Sequence, residues 1–328
     1  MKMTTITSDR YQQDEVLSAV CSAGSVLLFC HVSPDGDTLG SALAMKLCLE
    51  RMNKKVQIIV DGFVPSYLAF LPGADAVLSP DSAVEPYDLA MAIDVASHDR
   101  LGKCEPLFDA APVTVVIDHH GTNEGYAQLN MIDGSAPATA ILIYRLLGKT
   151  DYALTTDEAV CLYTALSTDT GNFIYDSTNA ESFVMMGALM EAGLPLAKYS
   201  RMLFRQKEEA FVRLLGEALP SLRVIGNGKI AGLQLTLAQM EKAHANGGHT
   251  EGIVNYAIDL QGVGMAYFAR EVDGGRVKVS LRALEPYAVD KIAAQFGGGG
   301  HKLAAGLTLA MPIEEAVATV EKALEAAL

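Results

Sequence analysis

The sequence predicts an α/β protein: an N-terminal domain built on a parallel sheet with helices on both faces, then a smaller α+β domain with a mixed sheet. Three observations carry this expectation. Apolar runs of strand length alternate with runs of helix length through the N-terminal part, the pattern of a covered parallel sheet. Three of the strand-like runs finish in Asp or His, and in open parallel sheets ligands gather at the strand carboxyl ends. Further on, short runs pair around Gly226-Asn227-Gly228 and Asp273-Gly274-Gly275, which read as hairpin turns.

In chain order, residues 24–32 form a short run rich in Val, Leu and Phe, read as a buried strand that ends in His31. A helix is expected over 38–52 from its apolar spacing, a strand over 55–60, and a short helix over 65–71 closed by Pro72-Gly73. Residues 88–94 are the next strand, ending in Asp94. Residues 113–117, Val-Thr-Val-Val-Ile, are the clearest strand and run straight into Asp118-His119-His120-Gly121. Helices are expected over 136–147, 156–168 and 179–192, the second leading into Asp169-Thr170-Gly171. The segment 198–219 has charged helical character and reads as a connector between domains 1–197 and 220–328. Hairpins over 221–236 and 265–283, helical patterns at 251–260 and 287–296, and an amphipathic helix over 312–328 complete the second domain.

Composition narrows the function classes. The chain has 328 residues, half of them hydrophobic, which suits two globular domains. A net charge of -14 argues against coating long nucleic acid, which needs many Lys/Arg contacts to phosphate. It leaves room for a short phosphorylated substrate held by metals and a few local cations. Five cysteines without a C-x-x-C spacing read as buried thiols in a reducing compartment. The polar start of the chain and the lack of a long apolar run add the expectation of a cytoplasmic protein that does not enter a membrane.

The strand-end residues are His31, Asp35, Asp37, Asp94, Asp118, His119, His120 and Asp169. Taken singly, an Asp before a helix is often an N-cap, and Asp-Gly is often a turn. A calcium loop fails at Asp35-Gly36-Asp37, because Leu39 stands where the next ligand is required. Taken together, clustered buried carboxylates are stable only if cations neutralise them. Two divalent ions would balance four aspartates, and a donor set of nitrogen and oxygen without thiolate places Mn2+ first, ahead of Mg2+, Co2+ or Zn2+.

His31-x-x-x-Asp35-x-Asp37, Asp94, Asp118-His119-His120 and Asp169-Thr170-Gly171 resemble, in order, the motifs of the DHH phosphoesterases. Gly297-Gly298-Gly299-Gly300-His301-Lys302 resembles the signature of the DHHA1 domain, so the likeness spans the chain. The resemblance implies one ion on His31 and Asp35, a second on Asp37, His119 and Asp169, and Asp94 bridging both. It implies that Asp118 orients a neighbouring histidine or loop and that His120 faces the substrate phosphate as donor or leaving-group acid. The chemistry implied is in-line hydrolysis of a phosphoester by two ions roughly 3.5–4 Å apart.

In the second domain, Ser280 and Arg282 share a face of an expected strand by the period of two. Glycine runs are often linkers, but this one follows a helix and precedes His301-Lys302, so its amides can approach a phosphate or base. The resemblance makes Ser280, Arg282, Gly298, Gly299 and His301 candidates to hold the nucleotide end of a substrate, and Arg100 a substrate-side arginine against the alternative of a surface salt bridge. His244 and His249 read as loop residues. Within the family, long-strand exonucleases carry extra domains and membrane-bound cyclic-dinucleotide phosphodiesterases carry transmembrane segments. The branch expected here is the stand-alone bifunctional one, acting on very short RNA of about two to five nucleotides and on 3'-phosphoadenosine 5'-phosphate (pAp). A soluble phosphodiesterase for cyclic di-AMP or pApA, and a non-catalytic nucleotide sensor, are the rival expectations. A homodimer is a further expectation for proteins of this kind.

Overall fold

The computed structural model describes residues 10–82, 86–150 and 152–328, and the chain divides into two compact units, Met1–Gln206 and Lys207–Leu328. The division falls inside the segment 198–219. Residues 1–9, part of the polar start noted above, lie outside the described residues.

The first unit contains α1 (Gln13–Ser22), β1 (Ser25–Phe29), α2 (Gly36–Arg51), β2 (Lys55–Ile59), β3 (Leu89–Ile93), α3 (Glu105–Asp109) and β4 (Val113–Asp118). It continues with β5 (Leu129–Ile132), α4 (Thr139–Leu147), α5 (Thr156–Asp169), α6 (Ala180–Glu191) and α7 (Leu196–Ser200). Its five strands are all parallel in the order β2-β1-β3-β4-β5. Alternation sorts the strand side chains: Val26 and Leu28 join the core under α2, α4 and α5, while Leu27 and Phe29 join a smaller core with Leu101 and Phe108. The strand order reverses between β1 and β3, and a crevice opens at such a switch point outside the carboxyl ends.

Two glycines bring α2 and α5 together. A Cβ on Gly36 would fall 2.3 Å from Thr168 Oγ1, and one on Gly40 would fall 2.5 Å from the Cys161 carbonyl. No side chain fits there, so the helices lie close and Asp37 on α2 approaches Asp169 at the end of α5.

Several element bounds differ from expectation. The helix expected from residue 38 begins at Gly36, because Asp35 caps it two residues earlier. The short helix expected at 65–71 is a single 3-10 turn, Ser66–Leu68. Helix α1 and strand β5 carried no sequence expectation: α1 buries only Val16 and Val20, and β5 is a four-residue edge strand interrupted by Asn130.

The second unit contains α8 (Glu209–Ala218), β6 (Arg223–Ile225), β7 (Ile230–Leu235), α9 (Leu237–Lys242), α10 (Asn255–Ile258), β8 (Met265–Val272) and β9 (Arg276–Ala283). It ends with α11 (Asp290–Ala294), β10 (Gly299–His301), β11 (Ala304–Leu309) and α12 (Ile313–Glu325). The six strands form a mixed sheet, β10-β11-β9-β8-β7-β6, in which only β7 and β8 run parallel. Both hairpins form where the turn residues placed them. The helical patterns at 251–260 and 287–296 shrink to the single-turn α10 and α11, their flanks being turns.

The glycine run is strand rather than linker, since β10 pairs antiparallel with β11. A Cβ on Gly298 would fall 2.2 Å from the Gly306 carbonyl, and one on Gly300 2.5 Å from the Ala304 carbonyl, so close pairing demands glycine at both. Among the described residues no helix is long and apolar enough to cross a membrane.

Candidate metal centre

His31 leaves the end of β1 buried, with Nδ1 2.9 Å from the Val32 carbonyl. With that nitrogen engaged on the protein side, Nε2 is the ring atom left to face the acids. This atom stands 3.5 Å from Asp35 Oδ2 and 3.8 Å from Asp94 Oδ2. Asp35 does two things at once. Its Oδ1 accepts from the amides of Asp37 and Thr38, capping α2, while Oδ2 faces His31. Burial works against its charge, but His31 and the two amides outweigh it and hold the carboxyl below its ordinary value.

Asp37 is fully buried. The N-terminus of α4 meets it with the Thr139 amide at 2.6 Å and the Ala140 amide at 3.0 Å, and Ser41 Oγ donates at 3.1 Å. Even so, burial and then the Asp169 charge push its carboxyl well above the ordinary range. Asp94 shares that fate, through burial and then the neighbouring carboxylates of Asp37, Asp35, Asp169 and Asp118. It also sits in left-handed backbone, φ 59°, a conformation that Asp tolerates better than most residues but that still costs on the order of 1–3 kcal/mol.

His119 donates from Nδ1 to the Ala136 carbonyl, so its Nε2 is free to face the acids. That atom lies 3.1 Å from Asp169 Oδ2, 3.6 Å from Asp94 Oδ1 and 3.9 Å from Asp37 Oδ2. Burial lowers its proton affinity, yet Asp169 and Asp37 outweigh burial and push it up to about 9. The direction of that shift matches a site whose acids call for positive charge.

Among the described residues three groups of donor atoms emerge, each with all atoms within 4.8 Å of one another: His31, Asp35 and Asp94; Asp37, His119 and Asp169; and Asp94, His119 and His120. His120 belongs less naturally among ligands. Its Nδ1 donates to Asp118 Oδ1 at 2.8 Å, and the ring is about two-fifths exposed. Asp118 is buried and also accepts from Asn123 Nδ2 at 2.7 Å; burial opposes its charge, but His120 and Asn123 keep its carboxyl low. The donor set fits divalent cations. Two carboxylates forced upward, imidazoles with one nitrogen tied back to backbone carbonyls, and no thiolate form an N/O site awaiting positive charge.

Sequence reasoning missed two residues that organise this centre. Asn123, buried, ties Asp118 to the Val95 carbonyl beside Asp94. Thr139 donates its hydroxyl to Asp94 and its amide to Asp37. Asn123 was findable five residues after Asp118, and Thr139 as the first residue of a helix. Arg100 is exposed, with Nη2 3.1 Å from His31 Nδ1; it makes no ion pair with a carboxylate among the described residues, so the salt-bridge alternative does not hold.

In the second unit, Ser280, Arg282 and Gly298 line one cavity of about 480 Å3, together with Arg270, Lys278 and Gly306. Gly299 contributes backbone to β10 beside open space, and the side chain of His301 lies outside the described part of the structure. His249 is a structural loop residue: its Nδ1 accepts from the Asn246 amide and its Nε2 lies 3.3 Å from Glu208.

A set of carboxylates and imidazoles around the buried Asp37 and Asp94, at the switch point of a parallel sheet, defines a metal-dependent hydrolytic enzyme class. The chain belongs to the DHH family of phosphoesterases: residues 25–166 match the DHH family N-terminal domain and residues 227–328 match the DHHA1 domain. It is 32% identical over 301 residues to the bifunctional oligoribonuclease and PAP phosphatase NrnA of Thermus thermophilus, covering 90% of this chain and 86% of that protein. It is 24% identical over 299 residues to the protein of the same name from Bacillus subtilis, covering 90% and 92%. An exopolyphosphatase-related protein from Bacteroides fragilis shares the architecture with a TM-score of 0.89 at 28% identity, over 99% of this chain and 98% of that one.

Proposed function

We propose that this protein hydrolyses very short RNA oligonucleotides to mononucleotides and removes the 3'-phosphate from pAp, using two divalent cations, Mn2+ first. The observation that supports it best is the arrangement at Asp94, whose Oδ2 faces His31 while its Oδ1 faces His119. One carboxylate thus adjoins both donor groups and would bridge an ion on His31 and Asp35 and another on Asp37, His119 and Asp169. The names of the Thermus and Bacillus relatives supply the substrate class.

When bound, the cations supply Lewis-acid charge to the phosphoryl group and a water of lowered pKa. The chain supplies the rest. Asp118, kept ionised, accepts from Nδ1 of His120 and orients the ring, so Nε2 of His120 would give a proton to the leaving oxygen. Arg100, beside His31 and without a carboxylate partner among the described residues, would meet a substrate phosphate. In the second unit, Ser280, Arg282, the Gly298 backbone and His301 would hold the nucleotide end.

The test is one set of parallel assays with Mn2+: pApA, longer RNA, pAp and cyclic di-AMP. Turnover of pApA and pAp ahead of the others is expected. Preference for the cyclic compound, or inertness towards all four, would overturn the reading.

A further inference from the structure

We infer that Arg270 and Lys278 form a second phosphate subsite, so that the cavity of the second unit holds an oligonucleotide by more than one of its phosphates. The inference rests on the reading of short RNA as substrate and extends it to residues outside the expected set.

The cavity floor is the face of the sheet where β8, β9 and β11 lie side by side. Along β9, Val277, Val279, Leu281 and Ala283 point into the core, which leaves Lys278, Ser280 and Arg282 on the opposite face. Register sets their neighbours. Lys278 pairs with Arg270 on β8 and with Thr308 on β11, so three side chains with donors lie in one row across three strands. Ser280 pairs with Phe268 and with Gly306, a row that offers an apolar ring and bare backbone. Arg282 lies four residues from Lys278, about 13–14 Å along the strand. The axial spacing of phosphates in one stacked strand is roughly 3.4 Å and their separation along the strand is larger, so the floor is long enough for more than one.

Charge points the same way. The chain holds 39 acidic residues against 25 Lys and Arg, so carboxylate partners are plentiful. Yet Arg270, Lys278 and Arg282 all line this cavity, and none of them has a carboxylate within ion-pair distance among the described residues. Glu251 is the acid in the lining; it lies at the exposed margin and acts on Arg270 only through its field. A half-buried guanidinium without an anion has lost water contacts without regaining partners, and a phosphate would supply them. The loop above Arg270 is built for close approach. A Cβ on Gly247 would come within 3.3 Å of both terminal guanidinium nitrogens, and the loop is pinned by Asn246 to the Gly248 amide and by Thr250 to the Gly247 carbonyl.

The experiment measures binding by the full-length protein in EDTA, so that nothing is cleaved, with pApApA and the dinucleoside monophosphate ApA as probes. Arg270→Ala with Lys278→Ala should weaken pApApA at least tenfold and ApA less than twofold. The slope of log affinity against log salt for pApApA should fall by about 1.4, the value for two lost single-strand phosphate contacts. Arg270→Lys with Lys278→Arg should restore most of the slope. Thermal unfolding of each variant checks that the hairpin still folds. Equal loss for both probes, no loss for either, or a wild-type protein that binds neither overturns the subsite. Turnover with Mn2+ is read separately: differential binding without RNA hydrolysis would keep the subsite and discard the proposed activity.

Discussion

The hydroxyl of Thr139 donates to Oδ1 of Asp94 at 2.8 Å, while the amide of the same residue donates to Asp37 at 2.6 Å. One residue at the start of α4 therefore orients both Asp94 and Asp37. Groups that orient ligands cost roughly 10- to 100-fold in metal affinity when removed. Thr139→Val keeps the shape and the amide but loses the hydroxyl, so titration calorimetry should show Mn2+ binding weakened by about that factor. Thr139→Ser should bind as wild type.

Asp94→Asn keeps a side chain that tolerates left-handed backbone and removes the charge. Turnover should fall by roughly a thousandfold or more, since the carboxylate proposed to bridge the two ions is gone. Cation-free stability should hold or rise, because burial and four neighbouring acids already disfavour the Asp94 charge. Turnover paired with a thermal melt in EDTA reads both. Wild-type turnover in this variant would count heavily against the assignment.

Gly40→Ala tests the helix contact behind the site. Its methyl would overlap the Cys161 carbonyl, a backbone atom held within α5. Destabilisation of about 1–3 kcal/mol is expected by chemical denaturation, with weaker Mn2+ binding because Asp37 and Asp169 move apart. An unchanged midpoint would show that the two helices can separate freely.

The pH dependence follows from His119. Its proton affinity is raised from 6.5 to about 9 in the cation-free fold, so its contribution to stability is complete below pH 6.5 and is lost as pH rises through 9. Asp37 and Asp94, also raised, have the same sign: their charging at higher pH opposes folding. The melting temperature in EDTA should thus fall between pH 6.5 and 9. A bound divalent ion replaces those protons, so Mn2+ affinity should rise over the same range and binding at pH 7.5 should release protons. A flat affinity profile would contradict this account of His119.

The parallel sheet and the strand-end residues were legible because strand runs and the acids that end them are contiguous in sequence. Asp35 shows where such reading stops: the N-cap and ligand-facing readings both hold, one for each oxygen. Gly36 and Gly40 were plain in the sequence, but their meaning depends on Thr168 and Cys161, far along the chain. Thr139 was missed because its value lies in hydrogen bonds to Asp94 and Asp37, far along the chain, whereas Asn123 stands only five residues after the Asp118 it holds. Lys278 shares the period-two face with Ser280 and Arg282, yet Arg270 joins them only through strand register. Strand β5 has too few residues for alternation to register.

Metal stoichiometry bears most directly on the central claim that these acids and imidazoles gather a pair of cations around Asp94. Mn2+ bound per chain should be counted by equilibrium dialysis with elemental analysis for the wild type, Asp35→Asn and Asp94→Asn. Two ions are expected for the wild type, one for Asp35→Asn, and a loss from both groups for Asp94→Asn. One ion or none in the wild type, or two retained in Asp94→Asn, would contradict it.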